Sequence, residues 1–117
     1  MKRVYIAGKL NDNAVDYIKN FNRMIKEAEA IRKMGFAVFV PCLDFLMGVI
    51  LGYWEYRDYF QNSQEWLRVA DAIYVCPNWR SSKGTKKEIA IARELNIPVF
   101  FDKKDLVNWR VNGTMLL

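Results

Sequence analysis

The sequence contains no histidine, only two cysteines and only three prolines in 117 residues. Without histidine, no Ser-His-Asp triad, Cys-His pair or histidine-ligated metal can form within the chain, and two cysteines alone cannot fill a zinc site. Acid–base or nucleophilic chemistry therefore falls to carboxylates, lysines, tyrosines or a cysteine. Acidic groups are the minority: 13 Asp and Glu stand against 18 Lys and Arg, a formal net charge of +5. That excess is spread along the chain and lacks the broad basic stripe of a nucleic-acid surface, so no stable nucleic-acid partner is expected. The longest apolar stretch, Phe36–Leu51, has 16 residues and contains Pro41 and Asp44. A spanning helix needs about 20 apolar residues, so no membrane partner is expected either. The start, Met1 to Gly8, has too short an apolar stretch before Lys9 for a secretion signal,. These features predict a cytoplasmic protein with reduced cysteines.

What is present points to one folded domain over residues 1–117. Hydrophobic residues make up 52% of the chain, too many for a disordered one,. Aromatics are abundant, at 7 Phe, 6 Tyr and 4 Trp. Strand and helix patterns alternate. Arg3–Ala7 reads as a strand ended by Gly8. Asn11, Asp12 and Asn13 offer caps for a helix over Ala14–Met34, with Ile18, Phe21, Ile25, Ala28 and Ile31 at helical spacing and Gly35 as its stop,. Phe36–Val40 reads as a second strand, stopped by Pro41. Leu43–Leu51 reads as a short helix and Tyr53–Val69 as an aromatic-rich one. Ala72–Cys76 is a third strand, stopped by Pro77. A helix begins at Ser82 or Thr85 and runs to Asn96. Pro98–Phe101 is a fourth strand, and Asp105–Trp109 a last helical turn,.

Strands that are continuous apolar runs, separated by helices, imply a parallel sheet covered on both faces. The expected class is α/β: a flavodoxin-like three-layer α/β/α fold with a 4–5-stranded parallel sheet and strand order beginning 2-1-3-4. In such folds ligands bind beyond the carboxyl ends of the strands, at the switch point between strands 1 and 3. The segments placed there are Gly8-Lys9-Leu10-Asn11, Pro41-Cys42-Leu43-Asp44 and Pro77-Asn78-Trp79-Arg80. Cys42 and Cys76 fall on either side of strand 1, about 10 Å apart and too far for a disulfide.

The most informative stretch runs from Ala70 to Ala92. A strand leads into a loop with Ser81, Ser82 and Gly84, and then into a helix start. Free backbone N–H groups and the helix dipole favour an anion there, with Arg80, Lys83, Lys86 and Lys87 adding charge. An ordinary capped helix start on a solvated face reads the same residues equally well. Glu88 has two readings. With Thr85 three residues earlier it fits a capping box. It also shares a helix face with Gly84, Ile91, Ala92 and Leu95, which would bury a carboxylate beside basic neighbours. A carboxylate so held can attack a sugar anomeric carbon.

These motifs together resemble the nucleoside 2-deoxyribosyltransferase-like family, including its deoxynucleoside-monophosphate N-glycosidase branch and phage and bacterial relatives. Val4-Tyr5-Ile6-Ala7-Gly8 is similar to the family's first strand, and Ala70-Asp71-Ala72-Ile73 to its third. Ser82-Lys83-Gly84-Thr85-Lys86-Lys87-Glu88 resembles its Ser-x-Gly-x-x-x-Glu signature,. The likeness spans about residues 3–101. It implies Glu88 as a nucleophile that forms a covalent deoxyribosyl ester, and Tyr5 as the residue that contacts it. It implies Ser82 as a phosphate ligand, and Gly8 and Gly84 as points of close backbone approach. Lys9, Asn11, Asp44, Asn78, Trp79 and Lys83 complete the expected binding set. The implied chemistry needs no cofactor and no metal, and the implied partners are a small nucleoside or nucleotide and further copies of the chain.

One position departs from the pattern. Active members carry an aspartate on the helix before strand 3 where this chain has Ser63. Two functions therefore stand beside each other: cleavage or exchange of an N-glycosidic bond, and non-catalytic sequestration of a nucleotide-derived ligand, as a phage anti-defence protein would do. A structural oligomer with a vestigial pocket is the third. The aromatics of residues 53–66 read first as core and subunit interface, with base stacking by one of them or by Trp79 as the sharper alternative.

Overall fold

The computed structural model describes residues 1–10 and 14–112. The expected caps at Asn11, Asp12 and Asn13 lie outside these. Among the described residues four strands, β1 (Arg3–Ala7), β2 (Ala37–Phe39), β3 (Ala72–Val75) and β4 (Val99–Phe100), form one sheet in the order β2-β1-β3-β4. All three pairings are parallel. The helices are α1 (Ala14–Lys33), α2 (Cys42–Leu51), α3 (Tyr56–Arg68), α4 (Lys83–Glu94) and α5 (Lys103–Asn112). The fold is the flavodoxin-like α/β arrangement with four strands.

Alternation along the central strands divides the core in two. Val4 and Ile6 point to one face, against Met24, Ala28 and Ile31 of α1 and Leu106 of α5. Tyr5 and Ala7 point to the other, against Leu67 of α3 and Ile89 and Ala92 of α4. With both faces covered, β1 and β3 have no solvent side. This is why they read as unbroken apolar runs rather than alternating ones.

Several details differ from the sequence-based expectation. The inward stripe of α1 is rotated: Met24, Ala28 and Ile31 are buried, while Ile18 is 61% and Ile25 40% exposed. Asn20 takes an inward position because Asn78, from the loop after β3, donates to its Oδ1 at 3.0 Å. The helix does end as expected, at Gly35, whose φ of 99° is left-handed and suits glycine,. Helix α3 begins at Tyr56 rather than Tyr53, since Glu55 and Asp58 close a reciprocal capping box there,. Helix α5 is a full ten residues rather than a turn. Its entry is fixed by Asp102, which accepts from the Lys104 N–H at 2.6 Å. Cys42 and Cys76 are free and buried. Burial pushes their thiols up to about 11 and about 12, which leaves both unreactive,.

Helices α2 and α3 pack through a close approach at Gly48. A Cβ there would sit 1.7 Å from the Tyr59 hydroxyl oxygen. The Tyr59 ring is itself held by Phe45 and Trp54, with centroids 5.3 and 5.1 Å away. In an open helix Gly→Ala would gain up to about 1 kcal/mol. Here overpacking, about 1–3 kcal/mol, outweighs that gain. Gly48→Ala is therefore expected to lower the urea midpoint and to change Trp54 fluorescence in the folded protein. A raised midpoint would show that Tyr59 gives way freely.

Candidate active site

The chain passes from β1 to β2 on one side and then returns to β3 on the other, so the loops after β1 and β3 diverge between these strands. At that divergence lies a cavity of about 670 Å³. Gly8, Lys9 and Leu10 line it from the β1 loop, and Ser81 to Thr85, Lys87 and Glu88 from the start of α4. Gly8 stands where a side chain would be tight: a Cβ would lie 3.0 Å from the Cβ of Cys76, the residue after β3.

Tyr5 and Glu88 form the floor. Tyr5 is fully buried on β1, and its ring stacks on Phe39 of β2, which stacks on Trp66 of α3, each at 5.5 Å between centroids. Thus braced, its hydroxyl donates to Glu88 Oε2. Glu88 is one turn beyond the start of α4, at the border of the buried face formed by Thr85, Ile89 and Ala92. The residue keeps partial exposure through the cavity. Its carboxyl is enclosed, however, and desolvation pushes it up to about 7, against the Tyr5 hydrogen bond, which acts to lower it,. Tyr5 is raised well above the usual tyrosine range. Burial is the main cause, followed by the charge and hydrogen bond of Glu88; the Ser63 hydroxyl pulls it down and the charge of Asp44 raises it further.

The capping-box reading of Thr85 and Glu88 is overturned. Ser82 is the N-cap of α4, and its oxygen accepts from the Thr85 N–H at 3.1 Å and from the Thr85 hydroxyl at 2.9 Å. Glu88 turns instead to Tyr5. Because the Ser82 oxygen is occupied twice as an acceptor, its hydrogen is the group left to donate. That hydrogen, the amides of Lys83 and Gly84 at the helix start, and the ammonium of Lys83 make an anion-compatible end of the cavity,.

The opposite wall is aromatic: Phe45 from α2, and Tyr56, Tyr59 and Phe60 from α3. Lys87 lies over the Tyr56 and Phe60 rings, 5.7 and 5.9 Å from their centroids,. The residue-53–66 aromatics thus divide. Tyr53, Tyr56 and Trp66 are all exposed in the single chain, but Tyr56, with Tyr59 and Phe60, lines the cavity.

Of the expected site residues, the structure brings Tyr5, Gly8, Lys9, Ser82, Lys83, Gly84 and Glu88 together at the cavity. Asn11 lies outside the described residues. Asn78 is turned away to Asn20. Trp79 packs into the α4-side core and against Phe101 at 5.2 Å, with Arg80 over its ring, so it is not on the cavity wall. Asp44 stands behind the wall, 8% exposed, accepting from Asn62 Nδ2 at 2.7 Å and from the Ser63 hydroxyl at 3.3 Å. Ser63 itself lines the cavity. Ser81 and Thr85 were not among the expected site residues, and the three α3 aromatics were expected only as the base-stacking alternative to core and interface. Among the described residues no cluster of His, Cys, Asp and Glu is placed to hold a metal, and no helix is long and apolar enough to cross a membrane.

A parallel α/β sheet of the flavodoxin-like class thus carries, at its switch point, a cavity with a carboxyl–phenol pair between an anion-compatible helix start and an aromatic wall. The chain belongs to the family described as a domain of unknown function (DUF4406), whose match spans residues 2–101. No curated protein matches it in sequence. Among solved structures, it is similar to the 2-deoxyribosyltransferase of the psychrotolerant bacterium Bacillus psychrosaccharolyticus, with 26% identity and a TM-score of 0.63. The likeness covers 83% of this chain and 69% of that one. That enzyme is described as a biocatalyst for the synthesis of antiviral and antitumoral nucleosides.

The raised Glu88 carboxyl has a consequence for stability. Its folded value, about 7, exceeds the value of about 4.3 expected in the unfolded chain. The folded state therefore binds the extra proton between these values. The associated stability is complete below about pH 4.3 and is lost as pH rises through about 7. Glu88→Gln, which stays neutral, is expected to melt higher than the wild type at pH 8, with the gap shrinking toward pH 5. A gap independent of pH would mean that Glu88 is not desolvated.

Proposed function

We propose that this protein cleaves or exchanges the N-glycosidic bond of a 2′-deoxynucleoside or its 5′-monophosphate, with Glu88 as nucleophile. The observation that carries the reading is the Tyr5–Glu88 pair on the cavity floor, between a phosphate-compatible helix start and rings suited to a nucleobase. Tyr5 engages Oε2, which directs Oε1 to C1′. In the first step the Oε1–C1′ bond forms and the C1′–N bond breaks. Its electron pair passes to the base nitrogen, which takes up a proton from solvent. In the second step water attacks C1′ and the C1′–Oε1 bond breaks. Glu88 is restored as a carboxylate, and the proton of the attacking water goes to solvent. A second base in place of water gives exchange.

The similarity to a 2-deoxyribosyltransferase supports this reading. The 5′-monophosphate preference rests on Ser82, Lys83 and the start of α4. Since Glu88 must be ionised to attack, activity is expected to rise from pH 6 to pH 8. Incubation with a panel of deoxynucleosides and their monophosphates should release free base, and Glu88→Ala should lower the rate by at least about 10³-fold. Ser82→Ala should raise KM for monophosphates more than for nucleosides. Equal rates in wild type and Glu88→Ala would overturn the mechanism.

One observation favours the binding reading: the α3 side chains that line the cavity, Ser63 among them, include no carboxylate. A protein that releases no base, yet yields an intact nucleotide-derived ligand on denaturation, would be a sequestering protein.

Self-association belongs to the same proposal. The outer face of α2 exposes Leu43, Leu46, Met47, Ile50 and Leu51, each 48–74% accessible, beside Tyr53 at 73%. So large an apolar patch on one chain suits a second copy. Light scattering should give a dimer or larger, and Met47→Glu with Ile50→Glu should shift it to monomer.

A further inference from the structure

Asp44 is a buried carboxylate that the proposed chemistry does not use. It is placed at the first turn of α2, 39 residues from Tyr5 and 44 from Glu88 in sequence, yet it closes a string of polar side chains that ends on both. Its Oδ2 accepts from Asn62 Nδ2 at 2.7 Å and from the Ser63 hydroxyl at 3.3 Å. Ser63 lines the cavity together with Tyr5 and Glu88, and its hydroxyl acts on Tyr5, pulling the phenol down. Tyr5 in turn donates to Glu88. Four elements, α2, α3, β1 and α4, thus each contribute to the string.

Ser63 has a single proton and two acceptors, the Asp44 carboxylate and the Tyr5 oxygen. If it donates to Tyr5, the phenol becomes a better donor and holds the Glu88 carboxylate more tightly. If Asp44 keeps it, Tyr5 donates less strongly and Glu88 retains more of its electron density. We propose that Asp44 is a positioning residue for the Tyr5–Glu88 pair: by holding the Ser63 hydroxyl it limits how strongly Tyr5 binds Glu88 and so keeps Glu88 nucleophilic. The proposal rests on reading Glu88 as the reacting carboxylate. The raising of Tyr5 by the Asp44 charge and its lowering by Ser63 have the signs this competition requires.

Other titratable or charged groups face the string as well. Cys42 lies two residues before Asp44 and interacts with its charge. Lys9 after β1, Tyr56 and Tyr59 on α3, and Lys83 and Lys87 on α4 line the cavity. All of them remain in the test variants, so a difference between variants reports on the string alone.

The test titrates Glu88 directly, by carbon-13 NMR of protein labelled at the glutamate δ-carboxyl, with the Glu88 signal assigned by its loss in Glu88→Gln. Asp44→Asn removes the charge but keeps an acceptor oxygen for Asn62. It is expected to lower the Glu88 midpoint by roughly 0.5–1 pH unit. In Ser63→Ala protein the same Asp44→Asn change should move the midpoint by less than half as much, because the intervening hydroxyl is gone. Ser63→Ala alone should leave the midpoint unchanged or raise it. An unmoved midpoint in Asp44→Asn overturns the proposal, and so does an equal shift with and without Ser63, which would be a direct field effect. Should Asp44→Asn not fold, a lowered midpoint in Ser63→Ala overturns it on its own. None of these readouts needs turnover, so a failed base-release assay leaves the titration interpretable. If base is released, Asp44→Asn should lower kcat about threefold to tenfold at pH 8 with KM little changed, and move the acid limb of the rate profile down with the NMR midpoint.

Discussion

A tyrosine hydroxyl on the central strand and a carboxyl on α4 share one hydrogen bond, and much of the surrounding architecture serves to bring them together. Tyr5 is held in place by covering both faces of β1 and by the Tyr5–Phe39–Trp66 stack. Glu88 is held in place by starting α4 at Ser82, which puts Thr85, Ile89 and Ala92 in the core and leaves Glu88 at their edge. A start three residues later would have used Glu88 as a cap and pointed it back along its own helix. The choice of cap, a local hydrogen-bonding matter, therefore decides whether the Tyr5–Glu88 pair forms at all.

The pair is costly to keep. Burial opposes the charged form of Glu88, and a single neutral hydrogen bond only partly offsets that desolvation,. Cationic groups sit nearby, at Lys83 and Lys87, but on the cavity wall, with Lys87 over aromatic rings rather than against the carboxylate. The arrangement keeps a carboxyl poised near neutrality in a site that also offers donors for an anion. Strain between stability and function of this kind is characteristic of working sites.

Much of the fold was legible in the sequence, because its punctuation is strong. Apolar runs bounded by Gly8, Gly35, Pro41 and Pro77 give strands with both faces buried, and such strands imply the parallel sheet. The errors occur where long-range contacts set the phase of a helix. Asn20 is inward only because Asn78 meets it, 58 residues away, and Ile18 and Ile25 are outward as a result of the same rotation. Asn78 and Trp79 follow β3, as a ligand loop should, but the first is used by α1 and the second by the core. The cavity's aromatic wall was hidden for another reason. Tyr56, Tyr59 and Phe60 carry the same composition as a packing face, and nothing local marks them as the rings that line the cavity. The Asp44–Ser63 contact has no local signature, since it joins two helices through one hydroxyl.

The central claim is that Glu88 bonds to the sugar, and trapping that bond tests it most directly. A 2′-fluorinated deoxynucleoside slows both steps by destabilising the positive charge that develops at C1′. Incubation with it, acid quench and peptide mapping should reveal one fluorodeoxyribosyl group on the peptide carrying Glu88. The adduct should be absent from Glu88→Gln and weak in Tyr5→Phe. Release of base while Glu88 stays unmodified at every quench time, or an adduct on another residue, would contradict the account.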